Sequence, residues 1–457
     1  MVNEKTHSQL TIYHSLFTTK KGKRMYTRRR FLGVIGPSAT MLAAATSFDP
    51  AAWSRLLDGW LQAEGTPGEI ARDEAFWRPV QQAFTVDRSL IHFNNGGVCP
   101  APLVVQRALH DHQQYAYKVP FYVHRRTLRP QVEQVRARLA QTFGCDAEEL
   151  ALTRNTSEGM EICQLGLDLD PGDEVLTTEH DYPRMVNTWK QRARREGIVL
   201  KQFPLPVPVE DPGEVVALFE KNITARTRLI MLCHMIDLTG QILPVKPVVE
   251  MAHARGIPVL VDGAQTFGQL DFTLADLGCD YYATSLHKWL MGPHGTGMLY
   301  VRKDRIKDLW PLMPADAELD ADIRKFEDIG THSLASFLAL SEALTFHHGI
   351  GAARKEARLR YLRDYWADRL LVHDRVRLRT SLKPSCSCCL TTIEVEGIDS
   401  RALRDYLWDR HRIIVRPINH PAVAGIRVSP SLYTTLEELD RFVEVMEDVV
   451  KSGLPAS

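Results

Sequence analysis

The chain has 457 residues, 44% hydrophobic and 25% charged, with 28 glycines and 25 prolines. That length and composition exclude a disordered, collagen-like or coiled-coil protein, and leave room for a core that folds without disulfide or metal staples. The formal net charge is zero, yet residues 1–45 hold eight basic side chains and one acid; the rest has 48 basic and 55 acidic side chains, and its net charge of −7 offers nucleic acid no electrostatic footprint.

Arg28-Arg29-Arg30 precede Phe31-Leu32-Gly33 and a mild apolar run from Val34 to Ala45. The run is shorter than the ~20 residues of a membrane-spanning helix and closes on Ala43-Ala44-Ala45, small residues that suit a signal peptidase. Charge, apolar run and small residues in this order predict a secretory signal over residues 1–45. The stretch Thr27–Gly33 resembles the twin-arginine export motif, with Thr27 where Ser is commoner. The resemblance implies passage of the folded protein through the twin-arginine machinery to the periplasm or beyond, with no stable membrane span. Folded export suits a protein that acquires a cofactor in the cytoplasm. Met25 is the expected natural start, with residues 1–24 an extension.

Residues 46–90 read as helical and are expected to brace a C-terminal domain. From 91 to 344 short apolar runs read as strands at Leu150–Thr153, Glu174–Thr177, Leu229–Cys233, Pro258–Val261, Tyr281–Thr284 and Gly297–Val301. Amphipathic stretches such as Arg184–Arg195, Pro212–Lys221 and Val248–Arg255 alternate with them. This alternation predicts a large α/β domain, its mainly parallel sheet covered by helices on both faces, with ligands bound beyond the carboxyl ends of the strands. Residues 345–457 read as a smaller α+β domain: helices at Gly351–Leu371, Ser400–Arg410 and Leu436–Lys451, and strands at Leu390–Val395, Ile413–Arg416 and Gly425–Val428.

Several polar loops follow these strands. Ser285-Leu286-His287-Lys288 opens a Gly-rich turn that leads into a strand rather than a helix, so it is neither a Rossmann fingerprint nor a P-loop. Asp262 ends the strand before it, 26 residues ahead of Lys288. Singly, each is an ordinary solvated or salt-bridged side chain. Together they suggest pyridoxal phosphate (PLP), which needs a Lys amine for a Schiff base and an acid to keep the pyridine nitrogen protonated. Thr156 and Ser157 open a helix after a strand, where hydroxyls and helix amides can hold a dianionic phosphate; a plain N-cap would look the same. Further loops are Thr178-Glu179-His180-Asp181-Tyr182, with aromatic rings able to stack on a cofactor, and His234–Gly240, which carries Asp237.

With these motifs in this order, residues 90–450 resemble the class V aminotransferase group of fold-type I PLP enzymes, which includes isopenicillin N epimerase and the cysteine desulfurases. The resemblance implies a seven-stranded sheet and roles for particular residues. Lys288 would form the Schiff base, Asp262 would pair with the pyridine nitrogen, and Gln265 would approach the ring hydroxyl. Asp237 stands where the group often has Asn. Ser285, His287, Thr156 and Ser157 would hold the phosphate, and His180 or Tyr182 would stack on the ring. Thr331 matches a residue that reaches the phosphate of a neighbouring subunit, which implies a homodimer with shared sites. Arg427 would clamp the substrate α-carboxylate, and Asn95, in a loop closing over the site, would touch substrate.

The reaction is less legible. A cysteine desulfurase needs a nucleophilic Cys shortly before the carboxylate-binding Arg, and His411–Ile426 contains none. Cys386, Cys388 and Cys389 fall too early, and no Cys spacing points to a metal site. The patterns at Asn94–Pro100 and His234–Pro244 look most like the isopenicillin N epimerase branch. They imply epimerisation, transamination or oxidative deamination of an amino acid or peptide-like natural product. The alternatives are β-elimination by a C–S lyase and a binding protein that has lost catalysis; retention of both Lys288 and Asp262 disfavours the latter.

Overall fold

The computed structural model describes residues 50–455. The export signal and early Met expected in residues 1–45 lie outside them. Thirteen strands are described: β1 (Ile91–His92), β2 (Leu150–Thr153), β3 (Glu174–Thr178), β4 (Val199–Phe203), β5 (Thr227–Cys233), β6 (Val259–Asp262), β7 (Tyr281–Ser285), β8 (Gly297–Val301), β9 (Val376–Leu378), β10 (Thr391–Val395), β11 (Ile413–Ile414), β12 (Arg416–His420) and β13 (Val423–Val428).

Seven of them form one sheet in the order β2-β8-β7-β6-β5-β3-β4. β4, β3, β5, β6 and β7 run parallel and β8 runs against both its neighbours. The parallel strands are joined through helices such as Pro183–Glu196, Pro212–Asn222 and Val245–His253. Helical cover on both faces explains why β2, β3, β6, β7 and β8 are buried along their whole length. β8 reverses because only a short Gly-rich turn separates it from β7. At its first residue, Gly297, a Cβ would lie 2.7 Å from the backbone of Asn155. Glycine there lets β8 pack against the start of the helix Thr156–Gly166. The sequence reading missed β4, an edge strand whose centre, Lys201-Gln202, is polar and half-exposed.

A four-stranded antiparallel sheet, β12-β13-β10-β9, lies in the C-terminal part. Helices Ala352–Leu370 and Leu436–Ser452 supply Leu362, Trp366, Phe442 and Met446 to a core with Ile393 and Ile426 of this sheet. The single strand expected at Ile413–Arg416 is broken at Val415: β11 pairs in parallel with β1, and β12 pairs with β13. Pro417 lacks an N–H, and β12 tolerates it as an edge strand. Through β1 the segment Ile91–Asn95 is tied to the C-terminal part, with Phe93 inside its core. The N-terminal helices bring Trp60, Phe76 and Trp77 into another cluster with Trp289, Leu390 and Tyr433. No helix among the described residues is long and apolar enough to cross a membrane.

Candidate active site

The carboxyl ends of β3, β5, β6 and β7 converge as the α/β pattern requires. Lys288 lies three residues past β7 in a turn closed by Met291 N–H donating to the Lys288 carbonyl (3.0 Å) and Gly292 N–H to the Leu286 carbonyl (2.8 Å). Met291 is fully buried and left-handed at φ +63°, a strained conformation for a side-chain-bearing residue. The Lys288 amine is half-buried and makes no hydrogen bond or ion pair among the described residues. Burial lowers its pKa below the usual lysine range. Asp237 and Asp262 oppose that shift, and Arg427 and Arg416 reinforce it.

Asp262 ends β6 and is buried. One carboxylate oxygen accepts from the Ala264 amide (3.0 Å), and the other has no protein donor. Burial outweighs that bond and the nearby Lys288, and pushes the carboxyl up to about 6. His180, on the loop after β3, is 2% exposed, and its Nε2 has no partner. Burial, helped by His420 at a ring-centroid distance of 5.4 Å, lowers the imidazole to about 4, so the ring is neutral near pH 7. Asp181 fixes the loop. Its carboxylate accepts from Thr177 Oγ1 (2.8 Å), the Thr178 amide (2.9 Å), Thr178 Oγ1 (2.5 Å) and, on β5, the Cys233 amide (2.9 Å). Tyr182 stands at the outer edge of the loop, 36% exposed.

The helix Thr156–Gly166 starts beside the end of β7. Asn155 caps it by accepting from the Glu158 amide (2.9 Å), and Ser285 Oγ accepts from the Thr156 amide (3.0 Å) and lies 2.7 Å from Thr156 Oγ1. Ser157 is half-buried next to this pair. His287 Nδ1 donates to the Thr296 carbonyl (2.8 Å), which fixes the tautomer and leaves Nε2 as the basic nitrogen. Hydroxyls and helix amides therefore meet at a helix N-terminus, where an anion is favoured, and His287 follows Ser285 by two residues.

The opposite wall is where β12 and β13 meet the loop after β5. Burial would raise the Asp237 carboxyl, but Arg427, Arg416 and Lys288 overcome it and hold the group well below the usual carboxylate range. Arg427 Nη1 donates to Asp237 Oδ1 (2.5 Å) and to its backbone carbonyl (2.9 Å); Arg416 Nη1 donates to Oδ2. Arg427 is fully buried, Nη2 donates to Asn94 Oδ1 (2.9 Å), and Nε has no partner. Gly96 is needed beside it, since a Cβ there would approach Nη2 to 3.1 Å.

The structure thus brings together Lys288, Asp262, His180, Thr156, Ser285, Asp237 and Arg427, but alters two expectations. Gln265 is fully spent as a strut: Nε2 donates to the Gly96 carbonyl (2.8 Å) and Asp237 Oδ1 (3.1 Å), and Oε1 accepts from Trp289 Nε1 (3.0 Å). Asn95 is not turned to the site. Its Nδ2 donates to the carbonyls of His92 and Ser429 (both 2.9 Å), and Oδ1 accepts from Tyr433 Oη (2.7 Å); Asn94 meets Arg427 instead. Thr331, whose expected contact is in a neighbouring subunit, sits on an exposed loop with no hydrogen bond to this chain's own site. Sequence reading missed Asp181, Asn94 and Arg416. Arg416 carried one weak signal, a charge at the end of the apolar run Ile413–Val415.

These residues fit a phosphorylated pyridine aldehyde. An unpartnered amine, a carboxyl with one free oxygen, an orphaned imidazole nitrogen and a hydroxyl-lined helix N-terminus each lack the counterpart that PLP would provide. Fold and site together define a PLP-dependent enzyme of fold type I. The family described as "Aminotransferase class-V" matches residues 93–442, and the chain belongs to it. It is 32% identical over 396 residues to isopenicillin N epimerase of Amycolatopsis lactamdurans, covering 82% of this chain and 99% of that one. It is 27% identical over 402 residues to a probable cysteine desulfurase of Mycolicibacterium paratuberculosis, covering 82% of this chain and 57% of that one. Among solved structures it is similar to the cystine C–S lyase C-DES in complex with its product cysteine persulfide. The TM-score is 0.71 at 27% identity, covering 79% of this chain and 97% of that one.

Proposed function

We propose that the protein acts at the amino group and Cα of an amino acid or peptide-like substrate, by epimerisation, transamination or oxidative deamination. The observation that carries this over persulfide transfer is the segment leading to Arg427. It is taken up by β11, β12 and a tight turn into β13, and it contains no thiol. The cysteines closest to it in sequence, Cys386, Cys388 and Cys389, are fully buried. Burial pushes Cys388 up to about 12 and Cys389 well above its ordinary value, so neither is a ready nucleophile.

Bound PLP supplies a protonated ring that draws electrons from the substrate Cα. Asp262 would hold a proton at the ring nitrogen, Lys288 Nζ would hold the aldehyde and, once the substrate amine has replaced it there, would be free to take the Cα proton, and neutral His180 would lie against the ring. Thr156, Ser157, Ser285 and His287 hold the phosphate. Arg427 receives the α-carboxylate through Nε, its buried and unpaired donor.

A homodimer is part of this reading. The exposed Thr331 loop supports it, as does the neighbouring exposed run Tyr117, Val119, Phe121 and Tyr122, since His124 Nε2 donates to the His332 carbonyl (3.1 Å) and joins the two segments. Export rests on the Thr27–Ala45 pattern. The likeness to C-DES favours β-elimination as the second reading. Loaded protein incubated with amino acids in heavy water separates them by mass spectrometry. Deuterium at Cα in an intact amino acid, or loss of nitrogen with the side chain kept, is the expected result. Loss of the side chain would replace this reading with a lyase.

A further inference from the structure

Arg416 and Arg427 are direct partners across the β12–β13 ladder, a register that puts both side chains on one face of the sheet. Between their guanidinium groups lies a single carboxylate: Asp237 gives Oδ1 to Arg427 and Oδ2 to Arg416. Two cations share one anion, and Lys288 acts on the same carboxylate. The other acid that opposes the shift of Lys288, Asp262, is assigned to the cofactor's ring nitrogen in the reading above. The wall therefore keeps an unmatched positive charge.

The two arginines expose different donors. Of the five N–H bonds of Arg427, two on Nη1 go to Asp237 and one on Nη2 goes to Asn94, which leaves the second Nη2 hydrogen and the buried Nε without a partner among the described residues. Arg416 has a side chain 33% exposed, and it spends only Nη1 on Asp237; Nε and Nη2 make no hydrogen bond among the described residues. An exposed arginine is ordinarily a solvated, mobile cation. This one is pinned by a nearly buried carboxylate, so much of the entropy cost of ordering it for a ligand is already met by the fold.

We propose that Arg416 is a second anion-binding group of the site and selects an amino substrate with a carboxylate on its side chain, beyond the one at Cα. This inference rests on the assignment of the α-carboxylate to Arg427. The inner arginine has Nε and one Nη2 hydrogen left for the α-carboxylate; the outer one offers the Nε–Nη2 edge, whose two parallel N–H bonds match a carboxylate. A neutral side chain leaves the outer guanidinium without that partner, so discrimination runs against neutral analogues. Asp237 serves both by keeping like charges together on one face.

The test titrates the cofactor-loaded protein with glutamate and 2-aminoadipate, each as both enantiomers, and with the neutral norvaline and norleucine. Binding is read from the cofactor absorbance. The expected result is a dicarboxylate preference of roughly tenfold to a hundredfold, the worth of a charge-assisted hydrogen bond. Arg416→Gln abolishes that preference and brings the affinity for dicarboxylates down to that for neutral amino acids. Arg416→Lys keeps a charge for Asp237 if the Gln variant does not fold, and it reduces the preference. Equal affinity for the two classes in the wild type, or an unchanged preference in the variants, overturns the proposal. Calorimetry with glutarate and butyrate on the same proteins separates this from the reading it rests on. Silence towards every amino acid, with glutarate still bound and lost in Arg416→Gln, supports the anion site and contradicts an amino-acid substrate. No glutarate binding in that case overturns the anion site.

Discussion

Two buried carboxylates stand within one site and have their pKa values pushed in opposite directions. Asp262, on the floor formed by the ends of β6 and β7, has one backbone hydrogen bond and a carboxyl raised to about 6. Asp237, in the wall against β12 and β13, is buried too, yet two arginines hold it well below the ordinary range. Burial pushes both the same way, and the cations decide the outcome. The floor is under-partnered and built to be completed by a bound group. The wall arrives with its one carboxylate already shared by two arginines, which leaves donors and a positive charge over.

The largest break in this comparison is Lys288→Ala. It removes the amine to which the floor is addressed, and turnover and the cofactor's Schiff-base absorbance should both vanish; undiminished turnover would sink the enzyme assignment. Arg427→Ala should act on the wall alone. It leaves Asp237 with one cation in place of two and costs about 3 kcal/mol or more in denaturant unfolding. Adding Asp237→Asn should restore part of that loss. Cofactor stays bound throughout and amino-acid binding is lost; loss of cofactor instead would mean that the wall belongs to the cofactor.

Asp262→Asn should sharpen the contrast through pH. In cofactor-free protein the folded state holds the Asp262 proton up to about pH 6, and the unfolded chain releases it near pH 4. The folded state therefore binds more protons over that window, and stability falls as pH rises through it. Above pH 6 the cost is complete, about 3 kcal/mol. The Asn variant should thus be more stable than wild type at pH 8 without cofactor, with the difference fading towards pH 4, and should bind cofactor more weakly. A pH-independent difference would place the effect in packing. The smallest change is Tyr182→Phe: the residue is a third exposed and its hydroxyl makes no hydrogen bond among the described residues. Unfolding should move by no more than about 0.5 kcal/mol, and the affinity for cofactor should stay near that of wild type.

The floor was legible in the sequence because strand, acid, next strand and lysine follow one another within 27 residues, and a parallel sheet turns that order into adjacency. Six of the seven strands of the large sheet were readable as apolar runs for the same reason; β4 was not, because an edge strand need not be apolar. The wall was illegible. Asp237 and Arg416 are 179 residues apart, and their pairing depends on the β12–β13 register, which was hidden by the break at Val415. The choice of Asn95 over Asn94 failed by one residue, enough in an extended segment to turn a side chain to the other face. Gln265 was placed in the right region, but its hydrogen bonds are consumed by Gly96, Asp237 and Trp289, none of which sequence spacing relates to it.

The central claim is that the unpartnered amine of Lys288 is the cofactor's anchor. Lys355 offers the sharpest control: it too is buried, with its amine pushed down to about 7 by burial, but it donates to the Trp289 carbonyl (2.9 Å) and lies 3.1 Å from His347 Nδ1. Borohydride reduction of PLP-loaded protein, followed by peptide mass mapping, reads the attachment directly. The account predicts a phosphopyridoxyl group on the peptide carrying Lys288 and none on that carrying Lys355. Attachment at Lys355 or at any other lysine, or no attachment at all, would contradict it.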